Sequence, residues 1–416
     1  MRIARNLYMQ RLVQRKHNGL VKIVTGLRRC GKSYLLNELF VQHLLDTGVR
    51  RNQIISLTLE GIENRRYRDP AQAYEHICGQ LKDPSLMHYV IIDEVQMMED
   101  FFEVLSSLMH KPNVDVYVTG SNSRVLSSDI ATEFRGRGDV IRIHPLRFSE
   151  FATVYEDRQE AWDDFIVYGG MPQVLSYPTA QAKQEYLINL FATTYTRDLI
   201  ERHGIRRESS LEELLNVLAS GIGSLTNPTK LERTFASEAH QDLARATIER
   251  YISCLEESFL VTHSKRYDVK GRRYIGSPYK IYFEDVGLRN ARLEFRQIEE
   301  NHLMENILFN DLRARGYSVD VGVVEEFGKS VEGKTVRRTY EIDFVVNRGS
   351  ERFYIQSALR MDSAAKALQE KASLRRIPDS FKKIIVVGGY MKPRIDDDGI
   401  VRVGIINFLM DDSLLS

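Results

Sequence analysis

The sequence predicts an α/β protein whose N-terminal third forms a parallel β-sheet with helices on both faces. The first observation is that residues 20 to about 145 alternate short apolar runs, such as "LVKIVTG", "HYVIIDE" and "VDVYVTGS", with helix-like stretches such as "KSYLLNELFVQHLL". Strands that alternate with helices favour a parallel sheet that is covered on both faces. The second observation is that 43% of the 416 residues are hydrophobic, which allows sizeable cores in two or three domains.

The overall charge and the cysteines exclude several classes of protein. The net charge is +1, so any binding to nucleic acid or to a membrane surface must come from a local patch. The three cysteines, Cys30, Cys78 and Cys254, are far apart and odd in number, which fits the reducing cytoplasm and no disulfide framework. The apolar runs have the length of strands, so we expect no membrane span.

Changes of pattern along the chain divide it into four segments. The sheet-forming segment is followed by a mainly helical stretch, which we interpret as a lid or connector. Next come helices that lead into a hairpin, and then the order helix, three strands, helix and two strands. The expected boundaries are 1–147, 148–207, 208–288 and 289–416.

A phosphate-binding loop follows the first strand. The stretch "GLRRCGKS" fits the pattern G-x-x-x-x-G-K-S, in which backbone N–H groups and a helix N-terminus face the phosphates. Lys32 should reach the β- and γ-phosphates, and Ser33 should bind Mg²⁺. Arg28 and Arg29 either touch phosphates or are solvated. We expect the nucleotide to contact Gly26, Leu27, Arg28, Arg29, Cys30, Gly31, Lys32, Ser33 and Tyr34.

Two acids end a later buried strand, in "YVIIDEVQ". An acid at such a strand end can hold Mg²⁺ through water, which is the role we predict for Asp93. The next residue, Glu94, is then suited to orient and activate the attacking water. The pair follows the loop in the order that hydrolysis of a nucleoside triphosphate requires.

Two further stretches supply candidates for the γ-phosphate. In "VYVTGSNS", either Ser121 or Asn122 is expected to line the phosphate from the side. In "FRGRGDVIRIHPLRF", Arg135 and Arg137 are candidates for an arginine that stabilises the transition-state charge, and we favour Arg137. Whether it acts within its own subunit or in a neighbouring subunit of a homo-oligomer stays open.

The motifs together resemble a known family. The stretches "GLRRCGKS", "IIDEVQ", "TGSNS", "RGRG", "HPLRFSEF" and "YGGMP", in this order, resemble the prokaryotic AAA-type P-loop ATPases that carry a C-terminal domain of unknown function. The resemblance implies ATP as the nucleotide and its hydrolysis by Lys32, Ser33, Asp93 and Glu94. It also implies a winged-helix module followed by a restriction-endonuclease-like α/β domain.

The segment 208–288 has the outline of a winged helix-turn-helix. Its candidate reading helix carries Arg245 and Arg250 together with several acids, so its surface is nearly neutral. The hairpin 264–280 is more basic, which makes it and the C-terminal domain the places where nucleic acid would bind. Packing between domains is the alternative interpretation of this module.

The last segment has the element order of a restriction-endonuclease-like core but an incomplete site. Glu305 on a helix and Asp343 on a strand match two of the metal-binding acids. The expected Glu-x-Lys on the next strand is replaced by Gln356 and Ala358. Losing a carboxylate weakens a Mg²⁺ site, and losing the ammonium removes a group that stabilises developing charge. We therefore expect a nuclease fold without nuclease activity.

The sequence thus predicts a Mg²⁺-dependent ATPase whose nucleotide state rearranges C-terminal binding domains. Two other functions remain open. One is an ATP-gated DNA-binding protein or nuclease, which the missing Glu-x-Lys disfavours. The other is a nucleotide-switched regulatory protein with negligible turnover, which an intact Glu94 disfavours. The protein partner is not identified by the sequence.

Overall fold

The computed structural model describes residues 2–120, 136–239, 243–329 and 335–415. Three residues that the sequence proposes for the γ-phosphate, Ser121, Asn122 and Arg135, lie outside these ranges. The chain divides into two compact units. The first consists of residues 1–145 with 257–259, and the second of 146–256 with 260–416.

The first unit is built on a five-stranded sheet. Its strands are β1 (Val21–Gly26), β2 (Ile54–Thr58), β3 (His88–Asp93), β4 (Val114–Gly120) and β5 (Gly138–Ile143). All pairings are parallel, in the order β2-β3-β4-β1-β5. Every residue of β1 and β3 is buried, as expected for apolar runs covered by helices on both faces. The predicted α/β class with a parallel sheet is confirmed.

Helices connect these strands and cover the sheet. They are α1 (Asn6–Gln14), α2 (Lys32–Tyr34), α3 (Val41–Asp46), α4 (Pro70–Gln80) and α5 (Phe101–Met109). A π-helical stretch, Leu35–Phe40, joins α2 to α3, so the helix predicted after the phosphate loop runs on without a break. The apolar sides of α4 and α5 pack on the strands in one continuous core.

The strand order determines which side chains can meet. The carboxyl ends of parallel strands lie along the same edge of a sheet, and this is where α/β proteins bind ligands. β4 lies between β1 and β3. The end of β4 therefore separates the loop after β1 from the acids at the end of β3.

The second unit begins with helices and ends in a mixed α/β region. Its helices are α6 (Phe148–Phe151), α7 (Arg158–Tyr168), α8 (Ala180–Leu190), α9 (Arg197–His203), α10 (Glu208–Ser220), α11 (Pro228–Thr234), α12 (Arg245–Glu257), α13 (Val286–Arg292), α14 (Glu300–Ala314), α15 (Ala364–Leu374) and α16 (Ile405–Met410). The helix that the sequence predicts near 364–374 has these bounds.

A nine-stranded sheet runs through the second unit. Its strands are β6 (Leu225–Thr226), β7 (Val261–Asp268), β8 (Arg273–Phe283), β9 (Ser318–Lys329), β10 (Thr335–Arg348), β11 (Glu351–Ala358), β12 (Lys382–Val387), β13 (Arg394–Ile395) and β14 (Val401–Gly404). The order is β13-β14-β12-β11-β10-β9-β7-β8-β6. Because β7 pairs in parallel with β9, the segments 208–288 and 289–416 share one sheet, where the sequence predicts separate domains.

The "YGGMP" motif forms a close contact inside the second unit. The buried Asp285 carboxylate caps α13 by accepting the N–H of Leu288 at 3.0 Å, and it also accepts the N–H of Gly170 at 2.7 Å. A Cβ on Gly169, whose φ is +69°, would lie 2.3 Å from Asp285 Oδ1. Burial raises the pKa of Asp285 to about 6, against the backbone N–H donors that lower it. The motif is therefore explained by packing.

Within the described ranges, no helix combines the length and the apolar character that crossing a membrane requires.

Candidate functional site

The loop after β1 is held against the end of β5. Gly26 has a φ of +146°, and a Cβ there would lie 2.0 Å from the carbonyl oxygen of Ile143. Gly31 precedes α2 with a φ of +99°, a conformation that side chains disfavour. The two glycines of the G-x-x-x-x-G-K-S pattern thus allow a close approach and a left-handed turn, which a Cβ would disturb.

A buried arginine from the N-terminal segment supports this loop. The guanidinium of Arg5 donates to the carbonyl of Cys30 at 3.2 Å and to the carbonyl of His144 at 2.6 Å. It also lies 4.7 Å from the ring centre of Tyr8, whose hydroxyl accepts the N–H of His144. Arg5 therefore joins the loop to the residue that follows β5. Sequence reasoning missed it, because nothing in the local pattern marks an arginine so far upstream.

Lys32 lies over the loop with its ammonium directed to backbone oxygens. Its Nζ donates to the carbonyls of Leu27 at 3.0 Å and Gly26 at 3.2 Å, and the residue is only 4% exposed. Of the two neighbouring arginines, Arg29 is exposed and Arg28 is partly buried. The position is suited to placing a positive charge on phosphates bound in the loop.

Ser33 and Asp93 meet at the carboxyl edge of the sheet. The Ser33 hydroxyl donates to Asp93 Oδ1 at 3.0 Å. Burial raises the pKa of Asp93, although hydrogen bonds from Thr119 and Ser33 oppose that change. A hydroxyl and a carboxylate are the oxygen ligands that Mg²⁺ prefers, and a cation offsets the cost of the buried negative charge. These residues therefore fit the ion that the sequence predicts.

Thr119, at the end of β4, links the two acids. Its hydroxyl donates to Asp93 Oδ1 at 2.5 Å and accepts the backbone N–H of Glu94 at 2.8 Å. The residue is fully buried. The sequence pointed to Ser121 or Asn122 for the polar residue after this strand, and it missed Thr119 because only the strand order places β4 between β1 and β3.

Glu94 has an uncommon backbone conformation and a fixed side chain. Its φ is +55°, in the left-handed region that residues other than glycine rarely adopt. The Gln96 amide donates to Glu94 Oε2. Strained backbone of this kind is frequent at functional sites, where the surrounding structure maintains it. The arrangement orients a carboxylate beside Asp93, as required of a residue that activates water.

Arg137 lies at the opposite edge of the sheet from the phosphate loop. Its carbonyl accepts the N–H of Val21, and β1 and β5 run in register from Val21 beside Gly138 to Gly26 beside Ile143. Five residues of strand separate the two edges, about 16 Å at 3.3 Å per residue. In this conformation the Arg137 side chain cannot reach a phosphate in the loop of its own subunit.

Replacing Thr119 by valine should slow nucleotide hydrolysis about 10- to 100-fold. The substitution keeps the side-chain shape but removes a hydrogen bond to a buried carboxylate and leaves the Glu94 N–H without its acceptor, together a cost of about 1.5–3 kcal/mol. Steady-state phosphate release measures the effect. Thr119→Ser, which retains the hydroxyl, should restore most of the rate. A Thr119→Val protein with wild-type turnover would contradict the role of this hydroxyl.

A second polar cluster lies in the other unit. Lys280 Nζ lies 2.9 Å from Glu305 Oε1, 2.8 Å from Glu341 Oε1 and 3.6 Å from Asp343 Oδ1. The Tyr282 hydroxyl also donates to Glu305 Oε1, at 2.6 Å. Burial opposes the charge on Lys280, but the carboxylates outweigh it and raise the pKa of the ammonium. The structure thus brings together Glu305 and Asp343, which sequence reasoning paired, and adds Lys280, which it missed.

Gln356 and Ala358 do not restore the missing metal-binding groups. The Gln356 amide donates to Glu370 at 3.4 Å, on α15, and Ala358 is buried in an apolar cluster. In the part of the chain that the structure describes, no group of three or more His, Cys, Asp and Glu side chains is arranged to hold a metal ion.

The basic residues of segment 208–288 differ in their contacts and exposure. On α12, Arg245 pairs with Glu249 at 2.8 Å, and Arg250 donates to the carbonyl of His203 at 3.0 Å. Both arginines therefore have partners within the protein. Four cations of the β7–β8 hairpin are exposed, namely Lys265, Lys270, Arg272 and Arg273.

A parallel sheet with a G-x-x-x-x-G-K-S loop after β1 and an acid pair after β3 defines a P-loop nucleotide-binding protein of the AAA type. Comparison with protein families agrees, because residues 18–152 match the family described as "AAA domain". Residues 159–299 match a second family, described as a domain of unknown function (DUF8612).

Whole-chain relatives assign the protein more closely. An uncharacterized protein of Haemophilus influenzae is 31% identical over 416 residues, covering 98% of each chain. An uncharacterized protein of Methanocaldococcus jannaschii is 25% identical and covers 86% of this chain and 79% of its own. The chain belongs to the same family as the Haemophilus protein, with an AAA domain followed by the domain of unknown function.

Solved structures resemble the chain only distantly. The Aeropyrum pernix ORC1 protein, solved in complex with DNA, is 13% identical with a TM-score of 0.30, and the match covers 71% of this chain and 93% of that one. A TM-score this low supports no comparison of function.

Proposed function

We propose that the protein is a Mg²⁺-dependent ATPase whose site lies at the carboxyl edge of the five-stranded sheet. The observation that carries this proposal is the contact of Ser33 and Thr119 with Asp93, since it joins the phosphate loop to the acid pair. Lys32 contributes the positive charge for the phosphates. Glu94, next to Asp93, is the residue that orients and deprotonates the attacking water.

Mg²⁺ would be held by Ser33 and Asp93, and when bound it neutralises phosphate charge. The protein's own residues do the rest. The loop N–H groups and the start of the helix after Gly31 stabilise the anion. Thr119 keeps the two acids in a fixed relation, and Arg5 keeps the loop against the end of β5.

Phosphate release from ATP by the purified protein tests this proposal. We expect turnover in the presence of Mg²⁺ and its loss when EDTA removes the ion. The alternative is a nucleotide switch without turnover. Such a protein would bind ATP in the presence of Mg²⁺ but would release no phosphate, even in a single-turnover experiment. Wild-type turnover no greater than that of Lys32→Ala would contradict the proposal.

We further propose that Arg137 acts on the nucleotide of a neighbouring subunit. The proposal is supported by the distance between Arg137 and the phosphate loop of the same chain. At this distance Arg137 cannot contact a nucleotide bound to its own subunit in this conformation. An arginine on the γ-phosphate contributes about 10³–10⁵ in rate in other phosphoryl-transfer enzymes. A homo-oligomer with the Arg137 edge of one subunit facing the loop of the next would meet this geometry.

Mixing two inactive variants should restore hydrolysis if Arg137 acts between subunits. Arg137→Ala supplies an intact loop, and Lys32→Ala supplies an intact arginine, so mixed interfaces regain one complete site. Activity per molecule of the wild type should also rise with protein concentration. Phosphate release measures both. No gain on mixing, together with activity independent of concentration, would show that Arg137 does not act in this way.

ATP hydrolysis is proposed to rearrange the second unit and so control what it binds. The chain passes from the first unit to the second between Pro145 and Leu146. On one side, His144 is held by Arg5, which also contacts the phosphate loop. On the other, the buried Arg147 donates to Asp311 at 2.8 Å and to Asp412 at 2.6 Å. A shift of the loop therefore has a route to the connecting residues.

The C-terminal segment is proposed to be a restriction-endonuclease-like fold without nuclease activity. The Lys280 ammonium contacts Glu305 and Asp343, while Gln356 and Ala358 stand in place of the Glu-x-Lys. Nucleic acid remains a candidate partner through the exposed cations of the β7–β8 hairpin. A basic surface binds a phosphate backbone without cleaving it.

The purified protein should leave single-stranded, duplex and branched DNA uncut. The reason is that neither Mg²⁺ nor Mn²⁺ can replace the Lys280 ammonium without breaking its contacts with three carboxylates. Gel analysis with each metal, with and without ATP, tests this. Asp343→Ala is the control, since cleavage by the wild type that disappears in this variant would refute the prediction. Cleavage that survives the substitution would come from another site or from a contaminant.

A further inference from the structure

The turn that joins β7 to β8 lies beside β9. β7 pairs in parallel with β9 up to Asp268 beside Val323, and the N–H of Val269 donates to the carbonyl of Val323 at 3.0 Å. Within the turn, Lys270 Nζ donates to the carbonyl of Glu325 at 3.3 Å. The cations of the turn are therefore next to β9, whose other neighbour in the sheet is β10.

Side chains from four strands share one face of the sheet at this place. Phe327 of β9 and Arg337 of β10 are directly opposite each other, so both lie on the same face. Glu325, two residues before Phe327, is on that face as well, and its carboxylate pairs with the Arg337 guanidinium. The registers of β7 on β9 and of β8 on β7 add Asp268 and Arg273 to it.

The cations of this surface are suited to bind phosphates. We define the basic face as the exposed ring on β9 with the exposed cations of this face and of the adjoining turn, namely Phe327, Lys270, Arg272, Arg273 and Arg337. Asp268 pairs with Arg273 at 3.5 Å, and Glu325 pairs with Arg337. Ion pairs at an exposed surface contribute little stability, and a guanidinium carries five N–H donors. Each arginine can therefore donate to a phosphate at little cost, and the two cations of the turn add further positive charge.

Phe327 exposes an aromatic ring beside these charges. Its side chain is 68% exposed, and Arg337 is its cross-strand neighbour. Nucleobases stack on exposed aromatic rings whatever their sequence, and proteins that bind single strands combine such rings with cations for the phosphates. In a duplex the bases are stacked on each other, so the ring has no base face to contact. The basic face therefore fits a single strand better than a duplex.

We propose that the basic face binds single-stranded nucleic acid, with phosphates at the cations and one base on the Phe327 ring. The inference rests on the proposal that nucleic acid is a partner of this protein, and it extends the binding surface from the β7–β8 hairpin to β9 and β10. An acidic peptide would also be attracted by the charges. The exposed ring favours nucleic acid, because a base stacks on it and a carboxylate does not.

Fluorescence polarisation with a labelled oligothymidylate, and with a duplex of the same length, tests the proposal on the whole chain. The wild type should bind the single strand more tightly than the duplex. Phe327→Ala should weaken single-strand binding about 5- to 150-fold, the range for one lost base stack, and should leave duplex binding unchanged. Phe327→Tyr, which keeps a ring, should bind like the wild type. Tyr390→Ala, which removes another exposed ring of the same unit, is the matched control.

The salt dependence of binding measures the contribution of the cations. Lys270→Gln/Arg272→Gln should reduce the slope of log affinity against log salt concentration by about 1.4, because each phosphate contact on a single strand contributes about 0.7. The matched control is Lys392→Gln/Arg394→Gln, which removes two exposed cations at β13, an edge strand of the same sheet. The control should keep the wild-type slope.

Equal affinity for the single strand and the duplex would overturn the proposal, and so would unchanged single-strand binding by Phe327→Ala. Polyglutamate that displaces the oligonucleotide at the same concentration of negative charges would also overturn it, because the ring would then contribute nothing. Nucleic-acid binding that none of the basic-face substitutions weakens would overturn this surface and leave nucleic acid as the partner. No binding of either nucleic acid would overturn both. Phosphate release from ATP, measured separately, tests the ATPase activity independently of these outcomes.

Discussion

The Glu94→Gln variant is expected to bind ATP with wild-type affinity and to hydrolyse it at least about a hundredfold more slowly. Glutamine has nearly the same size as glutamate but cannot accept the proton of the attacking water. The contacts among Ser33, Asp93 and Thr119 remain, so the groups that hold the nucleotide and Mg²⁺ are unchanged. The Glu94 N–H still donates to Thr119, because the substitution does not alter the backbone.

Titration with a labelled nucleotide, beside steady-state phosphate release, separates binding from hydrolysis in Glu94→Gln. A suitable control is Glu99→Gln, which makes the same chemical change at an exposed position of the same unit. The control should retain both affinity and turnover. Undiminished phosphate release by Glu94→Gln would remove Glu94 from the mechanism, and lost binding would instead indicate that this carboxylate helps to hold the nucleotide.

Lys32→Ala is expected to weaken ATP binding by about a hundredfold or more. Hydrogen bonds between charged partners contribute about 1.5–3 kcal/mol each, and the Lys32 ammonium should make more than one with the β- and γ-phosphates. The same ammonium donates hydrogen bonds to the carbonyls of Leu27 at 3.0 Å and Gly26 at 3.2 Å. The substitution therefore removes a charge and also loosens the loop.

Fluorescence titration with a labelled ATP analogue measures the loss in Lys32→Ala. Lys82→Ala is the matched control, because Lys82 is an exposed lysine in the same unit, outside the phosphate loop. Thermal unfolding without nucleotide should show a cooperative transition for both variants, with the midpoint of Lys32→Ala the lower of the two. Unchanged affinity in Lys32→Ala would mean that the nucleotide does not bind in this loop.

The parts of the candidate site that the sequence predicted are those contained in continuous stretches. The loop from Gly26 to Ser33 depends on residues that are adjacent in the chain, and so does the pair of acids at the end of β3. Their spacing alone predicts the backbone turn, the helix start and the acidic strand end. The alternation of strands and helices predicted the parallel sheet for the same reason.

Residues whose contacts depend on strand order could not be predicted from the sequence. Thr119 meets Asp93 only because β4 lies between β1 and β3, and no local pattern specifies that order. Arg137 is distant from the phosphate loop both in sequence and in space. The register of β5 on β1 places it at the edge of the sheet opposite the loop. Arg5 contacts Cys30 across 25 positions of sequence, through a buried guanidinium.

In the second unit, too, the sequence predicted some residues of the polar cluster and missed one that only the sheet topology brings there. Glu305 and Asp343 were paired because the order of helices and strands suggested a nuclease-like core. Lys280 belongs to the β7–β8 hairpin, which the sequence assigned to a separate domain, and Lys270, Arg272 and Arg273 of the same hairpin are exposed. The parallel pairing of β7 with β9 joins the two segments in one sheet, and the hairpin then contributes the ammonium.

The nucleotide recovered from the protein after incubation with ATP and Mg²⁺ tests the proposed ATPase activity most directly. Chromatography of the protein-bound fraction, after removal of free nucleotide and denaturation, should yield ADP from the wild type. The same procedure should yield ATP from Glu94→Gln and almost no nucleotide from Lys32→Ala. ATP recovered unchanged from the wild type, with no phosphate released, would contradict hydrolysis at this site.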